Sequence, residues 1–244
     1  MIKKIYIPCK GCVYELIADR TIYYMKKYHK FDIIKTYLKP ADFYIGECDV
    51  AYYGIVWCDK PGKNNVKLID DRKIIVTSTW LKEYMEKEGV KVEQVIPFGV
   101  DDELAQKHVN FDFNARRGYI STDSETLKAF EGRRKQLTLI GADFQPANLS
   151  EDLKYYLLSH SLFYIALNDG ITPIEAMSVG TPLVYMRNRV NPEYACGIEI
   201  DDMSDLKKIE ISKEEWEDLS YKCWFKSLRY HYITIGQELW GWLK

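Results

Sequence analysis

The chain has no excess of either charge. Its 244 residues hold 34 Lys and Arg against 36 Asp and Glu, a formal net charge of −2, so nothing in the balance calls for bulk electrostatic binding to nucleic acid. It has no apolar run near the ~18 residues that a membrane-crossing helix needs. The first eight residues, Met1 to Pro8, lack the long apolar core of a secretory leader, so the expected location is the cytoplasm, with a peripheral membrane contact left open through an aromatic patch. Histidine is scarce: the four are scattered and form no nucleophile–base arrangement. Cys48 and Cys58 lack the paired spacing of a zinc site, so no metal is expected. Neither an internal repeat nor a low-complexity segment occurs.

What is present is a core and a regular alternation. Hydrophobic residues make up 47% and charged residues 29%, a mixture that buries a core and stays soluble. The 19 tyrosines suit either sugar stacking or an ordinary interior. β-Rich runs at residues 4–8, 33–38, 42–45, 50–57, 73–77 and 92–97 are separated by helical patterns at 13–27 and 80–88, the latter capped by Ser78 or Thr79. Residues 103–114 read as a linker. The alternation then resumes with strands at 118–121, 136–140, 162–167, 183–186 and 197–200. Helices are expected at 124–131, 151–159 (capped by Ser150) and 172–179. Strands alternating with helices predict parallel sheets covered by helices. Two such series imply an α/β protein of two Rossmann-like domains, 1–104 and 105–220, followed by a tail that is aromatic and helical in pattern.

Residues 162–184 carry the most chemistry. They read as a buried strand, a tight polar loop, a short helix, a glycine stop and a second buried strand. In open α/β sheets ligands sit beyond the carboxyl ends of strands. Asn168, Asp169, Gly170, Ile171 and Thr172 fall there. Gly170 permits close backbone approach, and the amides that open the helix suit an anion. Glu175 lies in the first turn, where a carboxylate accepts hydrogen bonds from vicinal hydroxyls such as those of a ribose.

The text Thr172-Pro173-Ile174-Glu175-Ala176-Met177-Ser178-Val179-Gly180-Thr181-Pro182-Leu183-Val184 resembles the retaining glycosyltransferases of family four and their GT-B relatives. Val95-Ile96-Pro97-Phe98-Gly99-Val100-Asp101 resembles the same family's approach to its interdomain linker. The resemblance spans about residues 73–243; the N-terminal domain is shorter than is usual. It implies a GT-B fold with the active-site cleft between the two domains, a 105–220 domain that binds a nucleotide-diphosphate sugar, and a helix at 221–244 that crosses back to the first domain. The sugar would pass to a glycan, lipid or protein acceptor with retention, and with neither metal nor other cofactor. Glu175 would hold the donor ribose, and Asp169 stands nearest to the family's first acidic residue. Five residues separate Asp169 from Glu175, where the family has seven.

The family also carries an Arg and a Lys after the first strand of the donor domain. Here that stretch is Gly118-Tyr119-Ile120-Ser121-Thr122-Asp123-Ser124, without a basic residue. Arg117 beside Ser121 is the substitute expected for donor binding, with Arg116, Arg133, Arg134, Arg187 and Arg189 as others. The loop Pro8-Cys9-Lys10-Gly11-Cys12 opens the first helix, and Lys10, Gly11 and Cys12 are expected to face an acceptor or phosphate. Three rival readings stay open: a non-catalytic nucleotide- or glycan-binding module of the same fold, a thiol oxidoreductase using Cys9 and Cys12, and a nucleotide-sugar epimerase.

Overall fold

A computed structural model describes residues 3–30, 32–47, 53–61, 71–123, 125–126, 130, 136–140, 150–167, 170–187 and 189–243. The chain divides into two units, Met1–Gly99 with Tyr230–Lys244, and Val100–Arg229. The boundary lies five residues before the expected one (104 against 99). The returning segment begins at Tyr230 rather than Tyr221.

The first unit is a parallel sheet. Its strands are β1 (Lys3–Tyr6), β2 (Ile33–Thr36), β3 (Phe43–Gly46), β4 (Tyr53–Cys58), β5 (Asp71–Val76) and β6 (Gln94–Val95), in the order β2-β1-β3-β4-β5-β6. α1 (Val13–His29) connects β1 to β2, and α2 (Thr79–Lys87) connects β5 to β6. The β-branched run in β5 buries Ile74, Ile75 and Val76, as a strand covered on both faces must. Ser78 caps α2: its hydroxyl accepts from the Leu81 amide at 3.1 Å. Trp57 fills the centre, edge-on to Phe98, and its indole N–H donates to the Ile96 carbonyl at 2.7 Å.

The second unit opens with α3 (Asp102–His108), where a linker was expected. The physical signal is a cap. The Asp101 carboxylate accepts from the amides of Glu103 and Leu104, acids follow in the first turn, and Lys107 and His108 sit in the last. A parallel five-stranded sheet follows: β7 (Tyr119–Ser121), β8 (Leu137–Leu139), β9 (Phe163–Ala166), β10 (Leu183–Met186) and β11 (Gly197–Ile200), ordered β11-β10-β9-β7-β8. α4 (Glu151–Ser159), α5 (Ile171–Ser178) and α6 (Lys213–Ser227) cover it. Ser150 caps α4 as expected. The expected helix at 124–131 lies largely outside the described residues. The core gathers Phe130, Phe163, Ile165, Val184 and Trp216. α6 packs against α5, which is why residues up to Ser227 stay with this unit.

α7 (Tyr232–Leu243) packs on α1 in the first unit. Tyr232 stacks on Tyr24 with ring centroids 5.2 Å apart, and its hydroxyl donates to the Ile17 carbonyl at 3.1 Å.

Gly180 ends α5 with φ +81°, and a Cβ there would lie 2.7 Å from the Asn110 carbonyl oxygen. At Gly197 (φ +150°) a Cβ would run into the Leu183 carbonyl of the neighbouring strand.

Candidate functional site

Strand order locates the crevice of each unit. In the second sheet the chain proceeds from β7 outward to β8 and then back to β9 on its other side. The switch point therefore lies between β7 and β9, and their carboxyl ends are where a ligand fits. Ser121 ends β7. Its buried hydroxyl donates to the Ile165 carbonyl at 2.9 Å and accepts from the Asp123 amide at 3.1 Å, tying the two strands together. Next to it, Thr122 Oγ1 and the Tyr164 hydroxyl lie 2.8 Å apart. Burial holds the Tyr164 phenol well above its ordinary range, and the charge of Glu175 pushes it the same way.

β9 leads to the N-terminus of α5. Asn168 and Asp169 lie outside the described residues. Gly170 is the N-cap, in extended backbone, and no side chain caps the helix. A Cβ built on Gly170 meets nothing within 4 Å. Ile171 and Thr172 are half-buried. The Gly170 amide stands 3.4 Å from the Tyr194 hydroxyl. The backbone N–H groups that open α5 thus stand at the positive end of a helix dipole, which favours an anion.

Glu175 of α5 is fully buried. Lys154 of α4 places its ammonium 3.0 Å from both carboxylate oxygens. Lys154 also reaches Glu151 at 2.8 Å and retains 13% side-chain exposure. Sequence reasoning missed Lys154.

The arginines considered as substitutes for the missing basic pair are committed elsewhere or stand apart from the N-terminus of α5. Arg116 is buried beneath the sheet. Its guanidinium donates to the carbonyls of Ser161 (2.8 Å), Val179 (3.0 Å) and Asn110 and to the Thr181 hydroxyl, and lies over the Trp216 ring. Burial lowers its pKa to about 9, which leaves it a cation near neutrality. Arg117 precedes β7, at the strand end opposite Ser121, so the structure does not bring the two together. Its guanidinium donates to the carbonyls of Asn114 and Arg116, each at 2.7 Å. Arg187 pairs with Glu199 and Asp201, and Arg189 with Glu125. Arg133 and Arg134 lie outside the described residues.

In the first unit the switch point falls between β1 and β3. The loop after β1 is closed by a disulfide between Cys9 and Cys12, so neither is a free thiol. Cys58 is disulfide-bonded as well. The Gly11 amide, expected to face a phosphate, donates instead to the Glu15 carboxylate at 2.6 Å. Hydrogen bonds from Lys35, Tyr37 and that amide hold Glu15 down to a pKa of about 2. A carboxylate thus occupies the position an incoming anion would need. Lys10 is exposed beside it. After β4, the Tyr14 hydroxyl donates to Asp59 at 2.8 Å, and burial raises the Asp59 carboxyl above its ordinary value. Among the described residues no group of three or more His, Cys, Asp or Glu is placed to hold a metal ion. None of the described helices is long and apolar enough to cross a membrane.

No protein-family model matches the chain. Similar folds are known in solved structures. The crystal structure of Anabaena Alr3699/HepE in complex with UDP and glucose aligns with a TM-score of 0.70 at 11% identity, over 99% of this chain and 98% of that one. A glycosyltransferase from Rickettsia africae aligns with a TM-score of 0.66 at 9% identity, over 100% and 97%. Two Rossmann-like units of parallel strands define the GT-B fold of these glycosyltransferases. Among curated proteins, "Putative glycosyltransferase 63" of Sulfolobus islandicus filamentous virus is 60% identical over 100% of this chain and 99% of its own length. "Putative glycosyltransferase 41" of the same virus is 26% identical over 96% and 77%. At that level of identity across its whole length, the chain belongs to the same glycosyltransferase family as glycosyltransferase 63.

Proposed function

We propose that the protein transfers a sugar from a nucleotide-diphosphate donor bound at the carboxyl edge of the second sheet. The observation that carries this reading is the uncapped N-terminus of α5, the donor notch of this proposal, where a Cβ built on Gly170 meets nothing within 4 Å. The amides of Ile171 and Thr172 are offered to the diphosphate there, with that of Gly170 once it leaves the Tyr194 hydroxyl. Negative charge builds on that leaving group as the sugar departs. Amides fixed in place at a helix N-terminus stabilise such charge without a divalent ion. Glu175 is the group assigned to the donor ribose. Because it is buried against Lys154, a ribose competes with the ammonium for it. Retention at the anomeric carbon rests on the sequence resemblance alone, as does assignment of the acceptor to the first unit.

Uridine diphosphate is the first probe, since the HepE structure contains it. Gly170→Val tests the notch. The position is extended and a Cβ there meets nothing within 4 Å, so the fold tolerates a side chain that fills the space where the diphosphate would sit. Calorimetric titration should show binding to the parent protein, weakened by ~10-fold or more in the variant, the ~1.4 kcal/mol scale of one lost charge-assisted hydrogen bond. Equal affinities would remove the notch from the donor site. A second reading, a binding module without catalysis, is favoured by the commitment of Arg116, Arg187 and Arg189 to internal partners. Donor binding with no hydrolysis or transfer would select it.

A further inference from the structure

Two free thiols, Cys196 and Cys223, face each other in the second unit. They are 27 residues apart in sequence, on different elements. Cys196 closes the turn that enters β11, and Cys223 lies on the buried face of α6. The Cys223 thiol donates to the Cys196 carbonyl at 2.9 Å. Their accessibility differs. Cys196 is partly exposed and Cys223 is fully buried.

The turn is clamped from the same helix. The Lys226 ammonium, one turn beyond Cys223, donates to the Ala195 carbonyl at 2.7 Å and approaches that of Pro192 at 3.5 Å. Tyr194 sits between those contacts, with its hydroxyl 3.4 Å from the Gly170 amide at the mouth of α5. The segment that carries the thiols therefore also reaches the notch.

We propose that Cys196 and Cys223 form a dithiol site that takes a small-molecule disulfide such as glutathione disulfide, and closes to an intramolecular disulfide that fixes the turn carrying Tyr194. The order of steps follows from accessibility. Cys196 sulfur attacks the glutathione disulfide, its own S–H proton lost to solvent; one S–S bond breaks and glutathione thiolate leaves. Cys223 then attacks Cys196 sulfur; the mixed disulfide breaks, the internal S–S bond forms, and the Cys223 proton leaves with the second glutathione. Two protein thiols are oxidised and one glutathione disulfide is reduced to two thiols. The neighbouring charges suit these roles. The Cys223 hydrogen bond, Lys226 and Lys222 together hold the Cys196 thiol below its ordinary value, while burial raises Cys223. The attacking thiol is thus the partly exposed, activated one, and the resolving thiol is the buried one. The consequence for Tyr194 rests on the donor notch proposed above; the thiol chemistry does not.

The test uses the full-length protein titrated with glutathione disulfide, with alkylation and peptide mapping. The expected product is a peptide cross-linked between residues 196 and 223. Cys223→Ala, chosen to suit a buried site, should stop at one glutathione carried on Cys196. Cys196→Ser should leave Cys223 unmodified. Separate glutathione adducts on both cysteines of the parent protein, or no reaction at Cys196 in a buffer that modifies an unstructured cysteine peptide, would overturn the site. Open and closed forms are then titrated with uridine diphosphate. A change in affinity of about fivefold or more supports the link through Tyr194, and equal affinities refute it. Absence of nucleotide binding in both forms would count against the donor notch and the link together, while the mapped cross-link still decides the thiol chemistry.

Discussion

Replacing Lys154 with Met removes the ammonium that stands 3.0 Å from both oxygens of a fully buried carboxylate. At an effective dielectric of ~20, unit charges at that distance attract by about 5–6 kcal/mol, against which desolvation of both groups is set. Removing one partner of a buried pair costs about 3–5 kcal/mol, and Lys154→Met belongs at that end because Glu175 has no exposed surface. Glu175→Leu should cost less, about 1–2 kcal/mol, since Lys154 keeps Glu151 at 2.8 Å and a route to solvent. The double variant should fall below the sum of the singles by about 2 kcal/mol or more. The pH dependence follows from the same burial. In Lys154→Met the carboxyl gains protons in the folded state relative to the unfolded one, so its deficit against the parent grows as pH rises above the ordinary carboxylate range and shrinks below it. Guanidinium unfolding combined with hydrogen-exchange mass spectrometry over residues 151–178 isolates the second unit's transition. Additive single costs, or a Lys154→Met no more costly than Glu175→Leu, would refute the assignment of a tight internal pair.

Arg116→Lys should destabilise the second unit by about 2–4 kcal/mol, because an ammonium cannot span acceptors that a guanidinium reaches at once; the same exchange experiment reads it. Glu15 is lowered in the folded state, so it stabilises fully above its unfolded value and loses that contribution as pH falls towards about 2; Glu15→Gln should flatten the acid limb of the first unit's stability curve. Gly197→Ala should separate β10 from β11, with a loss of about 3 kcal/mol or more, seen as faster amide exchange in residues 183–186 and 197–200. A Gly197→Ala protein as stable as the parent would show that the strand register differs.

Local order was largely legible in the sequence because its causes are local. The helix at Glu151–Ser159 follows from a serine cap and apolar spacing, and the strand at Leu183–Met186 from an apolar run after a glycine stop. The helix at Asp102–His108 was read as linker because its apolar spacing is thin; the Asp101 cap and the charge order from Asp102 to His108 were the signals to weigh. Candidate site residues fared differently from one another. Gly170, Ile171 and Thr172 are where strand–loop–helix text puts them. Arg116, expected among the substitutes for the missing basic pair, is instead buried, because nothing in its neighbours reports that carbonyls of residues 110, 161 and 179 converge around it.

The sequence by itself determined two series of strand and helix, the motif at 172–184 and the loop that opens α5, since backbone preference and hydrophobic period act over a few residues. Only the tertiary structure decided that Lys154 meets Glu175, that Glu15 occupies the Gly11 amide, and that Cys223 meets Cys196. Each of those is a meeting of groups distant in sequence or turned by the helix, and its energy depends on burial and distance, quantities that exist only once the chain is packed.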